Sequence, residues 1–298
     1  MPLPEISGVV PILVTPFGED GQIDEASLRR LVDFCLDAGV HGLGIALGSE
    51  VYKLTEAERD RVIAAVVNQA NDRVPVIVNT GAPATDLAVW YSRRAESLGA
   101  SAVMCTPPAG GFSASEVTSY FRAISDAVSV PVMIQDTATT PVPAALIRAI
   151  GETCERVRYA KVESTPPSLQ VYNAVQASGD VVSIFGGAAG HAFLQELRRG
   201  SIGTMPWPST PHAFVRVWDR WQAGDVAGAT EVFEQQIEPL LRIGAGSLGG
   251  GHLIHKEVLR RQGVIAHSHV RRPIEPLDPV TLEELDEVCV RLGFTQVA

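Results

Sequence analysis

Short apolar runs, each followed by a longer amphipathic stretch, repeat eight times before residue 223, and this alternation limits the fold more than any other feature. The runs at 8–15, 41–47, 75–80, 101–106, 131–136, 157–163, 181–185 and 201–205 read as strands. The stretches at 24–38, 55–70, 84–98, 113–128, 143–152, 168–177, 190–199 and 211–222 read as helices. Asp24 suits an N-cap, and Thr55 with Glu58 and Ser113 with Glu116 have the spacing of capping boxes. Gly39 and Gly99 stand where the first and third helices should stop. Strands that alternate with helices pair in parallel through right-handed crossovers. Eight such units predict an α/β fold closed into a (β/α)8 TIM barrel over residues 1–223. An open doubly wound sheet would carry a glycine-rich first turn, whereas the first strand here runs into Thr15-Pro16-Phe17-Gly18. The remainder, 224–298, predicts further helices at 226–243, 253–262 and 281–292, packed on the barrel as part of one structural unit.

The chemistry concentrates in the sixth strand, Arg158-Tyr159-Ala160-Lys161-Val162-Glu163-Ser164. Strand side chains alternate between faces, so Tyr159, Lys161 and Glu163 share one face while Ala160 and Val162 take the other. An amine fixed beside a carboxylate can condense with a ketone and then move protons around the imine. The bland alternative is a surface ion pair. Only three lysines occur, Lys53, Lys161 and Lys256, and arginine supplies most of the positive charge. Arginine cannot act as a nucleophilic amine near neutral pH, whereas a desolvated lysine can. In a barrel the active site gathers at the carboxyl ends of the strands. Those ends carry Thr15, Ser49 with Glu50, Asn79 with Thr80, Thr106, Gln135 with Asp136, Lys161 with Glu163, Gly186-Gly187, and Thr204 with Trp207 just beyond.

Composition removes several function classes. A formal net charge of −10 argues against nucleic acid and anionic membrane as partners. No stretch approaches the ~18 apolar residues that a membrane span requires, and the start lacks a basic region followed by an apolar one. These features predict a soluble cytoplasmic protein. Cys35, Cys105, Cys154 and Cys289 are scattered, with no CxxC pair, so neither a disulfide framework nor a zinc site is expected. The run Gly244-Ala245-Gly246-Ser247-Leu248-Gly249 has the letters of a dinucleotide motif but follows a helix, and reads as a loop. His252 with His255, and His267 with His269, have ligand-like spacing but no nearby carboxylate cluster, and no metal is assigned.

Several segments, in order and spacing, resemble the dihydrodipicolinate synthase / N-acetylneuraminate lyase family. They are Val14-Thr15-Pro16-Phe17, residues 42–54 with Glu50 and Leu54, Thr106-Pro107, Val130-Pro131-Val132, Lys161, residues 200–205, Lys256-Glu257 and Arg272-Pro273. The resemblance covers nearly the whole chain. It implies a Schiff-base lysine at Lys161, a covalent imine to a 2-keto acid, no metal or other cofactor, and a homotetramer built as a dimer of dimers. The departures narrow the reading. Gln135 stands where synthase and lyase members have a proton-shuttling tyrosine, Leu47-Gly48 replaces a Thr-Thr pair, and Pro108-Ala109 replaces an aromatic pair. The arginine expected after the fifth strand is absent from 137–140. A neutral amide cannot relay a proton as a phenol does.

The remaining set looks more like the branch that dehydrates 2-keto-3-deoxy sugar acids. Its implied site is Lys161 as imine-forming amine, Glu163 as general acid/base, and Gln135 bonding substrate or orienting a water. Gly48, Ser49, Glu50, Asp136, Thr106 and Gly187 are the residues expected around the substrate, with Gly48 and Ser49 on its carboxylate. A pyruvate-dependent aldolase on the same scaffold, and a non-catalytic binder of small acids, are the alternatives.

Overall fold

The computed structural model describes residues 5–244 and 250–294. The glycine-rich run at 245–249 lies outside them. Eight strands form one parallel sheet: β1 (Gly8–Val9), β2 (Leu43–Ile45), β3 (Val76–Asn79), β4 (Ala102–Cys105), β5 (Val132–Asp136), β6 (Val157–Val162), β7 (Ser183–Gly186) and β8 (Gly203–Thr204). Neighbours run β1-β8-β7-β6-β5-β4-β3-β2. The ends of that order meet through a parallel bridge between Ile12 and Gly44. There Leu13 N donates to Gly44 O at 2.8 Å, and Gly44 N donates to Pro11 O at 2.9 Å. The sheet therefore closes into a barrel.

Around it lie α1 (Glu25–Asp37), α2 (Glu56–Ala70), α3 (Thr85–Ser97), α4 (Ala114–Ala127), α5 (Ala144–Thr153), α6 (Pro167–Ser178), α7 (Phe193–Leu197) and α8 (Pro211–Gln222). The Asp24 side chain caps α1, and the Thr55–Glu58 and Ser113–Glu116 capping boxes open α2 and α4. Four more helices follow: α9 (Val226–Val232), α10 (Glu238–Gly244), α11 (Gly250–Arg261) and α12 (Pro279–Leu292). Among the described residues no helix is long and apolar enough to cross a membrane.

Strand alternation separates two cores. Ala160 and Val162 of β6 pack outward in the layer between sheet and helices. Val10, Ile77, Met104, Met133, Tyr159 and Phe185 fill the barrel interior. The Tyr159 hydroxyl accepts a hydrogen bond from Ile6 N at 3.0 Å, which ties the N-terminal segment across the interior. Interior packing gives way towards the strand ends to the buried polar side chains Asn79, Gln135 and Lys161. That order makes the barrel a filled core with a polar mouth, not a pore.

Three elements differ from the sequence expectation, each for a local reason. The first strand is regular only at Gly8–Val9, because Pro11 has no N–H for the ladder. Val10 N and Ile12 N still donate to Thr204 O and Pro206 O. The helix expected over 190–199 shrinks to α7, because Ala188, Ala189 and Gly190 hold positive φ (47°, 59° and 82°) in a tight turn after β7. The helix expected over 226–243 is interrupted by a wide turn at Phe233–Ile237, just before Pro239, which cannot donate to the preceding turn.

A buried charge cluster fastens the later helices to the mouth. Glu50, after β2, is fully buried in a left-handed conformation (φ 57°). Its carboxylate receives Lys256 Nζ of α11 at 2.5 Å and Lys53 Nζ at 3.2 Å. Lys256 also donates to His269 O at 2.9 Å and Lys53 to Arg271 O at 2.6 Å. Removing one member of a buried pair leaves the other charge without compensation. Lys256→Met is therefore expected to lower the unfolding free energy by about 3 kcal/mol, measured by urea denaturation, and adding Glu50→Gln should recover a large part of the loss.

Candidate active site

Register brings the polar side chains of the mouth together. Gln135 and Lys161 are Cα partners across β5 and β6, so their side chains stand next to each other on the inner face. Glu163 follows two residues after Lys161 on the same face. Lys161 Nζ lies 3.0 Å from Glu163 Oε1, with the lysine side chain 5% exposed and the glutamate 18%. The pair is sheltered, yet open enough for a small molecule to reach the amine. Gln135 Nε2 donates to Glu163 Oε2 at 2.9 Å, and Ala188 N donates to Glu163 Oε1 at 3.0 Å. Asn79 Nδ2 in turn donates to Gln135 Oε1 at 3.0 Å, which fixes which end of the amide faces the glutamate.

A cavity of about 140 Å³ opens over these groups, lined by Lys161, Glu163, Gln135 and Gly48 together with Ile12, Leu47, Ala189, Met205, Pro206 and Trp207. A larger cavity of about 700 Å³ lies among the outer helices beside Phe34, Arg216 and Gln262; none of its lining residues is shared with the first.

The other sequence-derived residues lie behind this lining. Ser49 Oγ donates to Leu13 O and accepts from Ala46 N at 3.0 Å, so its hydroxyl is committed to holding its own turn. Thr15 Oγ1 donates to Ser49 O at 2.6 Å and reinforces that turn. Glu50 is enclosed in the ion cluster with Lys256 and Lys53. Asp136 accepts from Val142 N (2.7 Å), Glu163 N (3.2 Å), Ser164 N (2.9 Å) and Ser164 Oγ (2.6 Å), which pins the end of β6. Thr106 packs under Gly81, where a methyl group would come within 2.9 Å of its Oγ1. Gly187 provides clearance: a methyl there would sit 2.2 Å from Glu163 Cγ.

Sequence reasoning left out the apolar half of the lining. Trp207 packs against Gly48 and Gly251, at which a methyl would approach its ring to 3.2 and 2.9 Å. The indole stacks on His255 at 4.8 Å and meets the edge of His252 at 5.1 Å. Burial, then the neighbouring His252 and His191, push His255 down to about 3, so it stays neutral while its Nδ1 pairs with Ser209 Oγ at 2.7 Å. His252 and His255, one of the two pairs with ligand-like spacing, thus flank a tryptophan. The only sequence signal for Trp207 was its place just beyond β8.

With the geometry in hand, comparison with known proteins is informative. The family described as the dihydrodipicolinate synthetase family matches residues 5–291. An L-2-keto-3-deoxyarabonate dehydratase of Azospirillum brasilense is 30% identical over 97% of this chain and 95% of its own length. A 4-hydroxy-tetrahydrodipicolinate synthase of Stenotrophomonas maltophilia (strain R551-3) is 29% identical over 92% of each chain. The crystal structure of dihydrodipicolinate synthase from Rhodopseudomonas palustris superposes with a TM-score of 0.89 at 29% identity, covering 96% of this chain and 97% of that one. The Thermotoga maritima enzyme of the same name reaches 0.90 at 22% identity over 97% and 99%, a likeness of fold.

The clearance at Gly187 is testable. Gly187→Ala is expected to cost about 1–3 kcal/mol of stability through overpacking, read by thermal or urea unfolding, with a crystal structure showing the Glu163 carboxylate moved off Lys161.

Proposed function

Because the chain belongs to the dihydrodipicolinate synthetase family, whose lyases work on keto acids through a Schiff-base lysine, we propose that it removes water from a short 2-keto-3-deoxy sugar acid. The observation that carries this reading is the position of Glu163. Its carboxylate lies 3.0 Å from the Lys161 amine, and its other oxygen is held by an amide that can neither give up nor accept a proton in the working pH range.

Lys161 Nζ attacks the C2 ketone, and loss of water leaves an iminium. The iminium withdraws electrons from C3, and Glu163 takes a C3 proton to give the enamine. The same carboxyl, now protonated, returns the proton to the departing C4 hydroxyl, and water leaves as the enamine electrons move to C3–C4. Loss of a C5 proton then turns the conjugated iminium into a dienamine that is also an enol. Protonation at C3, ketonisation of the enol to an aldehyde and hydrolysis of the iminium free the lysine and release a dioxo acid. One carboxylate thus serves as base and then as acid, so no phenol is required. The lysine supplies the electron sink that a bound cofactor would otherwise provide. Gln135, locked between Asn79 and Glu163, keeps the carboxylate aimed at the amine. Gly48 lines the cavity at the start of the turn after β2, where backbone N–H groups without a helical partner can take the substrate carboxylate. A cavity of about 140 Å³ with apolar walls suits a substrate of few carbons.

Aldol chemistry on the same imine is the second reading, supported by the synthases that are about as similar as the dehydratase. Retro-aldol cleavage, however, needs a base on the C4 hydroxyl itself; in the dehydration reading Glu163 is engaged with the C3 proton, and Gln135 cannot supply a second base.

Borohydride reduction in the presence of pyruvate is expected to trap one adduct on the Lys161 peptide, located by mass spectrometry and lost in Lys161→Ala. Incubation with a 2-keto-3-deoxypentonate should give a dioxo acid; release of pyruvate and an aldehyde would instead support the aldolase reading. Glu163→Gln should still form the trapped imine but lose turnover by roughly 10²- to 10⁴-fold, since imine formation and proton transfer use different residues.

A further inference from the structure

Glu196 of α7 is fully buried, and among the described residues neither oxygen of its carboxyl has a hydrogen-bond partner. A buried acidic group in that state is costly unless it has a reason to be there. Its position supplies one. A methyl placed on Gly186 would lie 1.7 Å from Glu196 Oε2, and one on Gly187 would lie 2.9 Å from Glu163 Oε1. Successive residues of a strand face opposite sides. The two carboxyls therefore stand on either side of the chain at the end of β7, each packed against a glycine. Thr204, the Cα partner of Gly186 on β8, has a buried hydroxyl that is also without a partner among the described residues.

The surroundings contain little that could offset a charge on Glu196. The Ser201 hydroxyl is spent on Gly203 O and Gly186 N. His191, on the turn into α7, has a lowered pKa and is neutral above pH 7. From α8, Phe214 packs on Phe193 of α7, and from α6, Val175 lies against Gly200, just beyond α7. At the carboxyl end of β6 the titratable groups are Lys161 and, just past the strand, its partner Glu163. Burial, and then the negative charge of Glu163, push Glu196 up to about 8. Near neutrality Glu196 is therefore an uncharged acid.

We propose that Glu196 is a positioning residue for proton transfer: held uncharged one strand behind Glu163, it keeps the proton affinity of Glu163 low enough for a proton taken from substrate to be given back. This rests on the reading of Glu163 as the acid/base group. Ionised Glu196 would add a second negative charge across a dry wall. Repulsion from that charge would hold the proton taken from C3 on Glu163, and its return to the leaving hydroxyl would slow.

The test compares full-length wild type with Glu196→Gln, which keeps the size and neutrality of the acid. Two readouts are followed from about pH 6 to about pH 10: cyanoborohydride trapping of the pyruvate imine and turnover of a 2-keto-3-deoxypentonate. Near pH 7 the variant is expected to work within about threefold of wild type. Above about pH 8 wild-type turnover should fall, and in the variant that fall should move up by about one pH unit or more. The melting temperature gives an independent sign. The folded protein binds the Glu196 proton more tightly than the unfolded chain, so wild type loses stability as pH rises from about 4.5 to about 8, and the variant lacks that loss. In wild type alone, infrared difference spectra between about pH 7 and about pH 9.5 should show the carbonyl stretch of a protonated acid disappearing.

Superimposable pH profiles, uniform slowing of the variant at every pH, or absence of the protonated-acid band at neutral pH would each overturn the proposal. If wild type traps no imine at any pH, the lysine chemistry itself fails and this inference falls with it. If the imine forms and the profiles coincide, only the role of Glu196 is lost.

Discussion

The Glu163 carboxylate holds the mouth of the barrel together. It takes Lys161 Nζ and the Ala188 N–H on one oxygen and the Gln135 amide on the other. These donors come from β6, from the turn after β7 and from β5, so one side chain joins three consecutive βα units at the point where chemistry would occur. A carboxylate can accept about four hydrogen bonds, and satisfying three of them from the protein fixes its orientation before substrate arrives. The amine is held in the same grip. Preorganisation of this kind lowers the reorganisation that proton transfer otherwise requires.

The grip depends on what is absent around it. Gly187 leaves room for the Glu163 side chain, Gly48 leaves room for the Trp207 edge, and Gly186 leaves room for Glu196 on the outer face. Each glycine allows a functional or aromatic group to come closer to the backbone than a Cβ would permit. The tight turn 188–190, with three residues in the left-handed region, carries the Ala188 N–H onto the carboxylate and shortens α7 as a consequence. Behind the mouth, Asp136 gathers the N–H groups of Glu163 and Ser164. The Glu50–Lys256–Lys53 cluster ties α11, and with it the support for Trp207, to the end of β2. The residues that touch the cavity are thus few, and a larger set of buried polar groups keeps them in place.

Much of the architecture was legible because its causes are local. Period-2 and helical patterning located all eight strands and their helices, and the Thr55–Glu58 and Ser113–Glu116 spacings closed as capping boxes. The boundaries that moved did so at Pro11, Pro239 and the turn 188–190, where a missing N–H or a left-handed backbone ended an element early. At the site, strand alternation was enough to put Lys161 and Glu163 on one face, and the strand-end rule brought Gln135 beside them. The same rule also collected Ser49, Glu50 and Asp136, whose side chains face other protein groups. Position at a strand end says where the backbone goes, not which partner a side chain finds.

By itself, then, the sequence determined the eight strand–helix units of an α/β barrel and the face shared by an amine and a carboxylate, because periodicity within each element sets both. Only the tertiary structure decided that Ser49 bonds Leu13, that Glu50 meets a lysine 206 residues away, that Trp207 forms a wall of the cavity, and that Glu196 lies unpaired behind Gly186. Those contacts join segments distant in the chain, and closure of the barrel alone sets the distances between them.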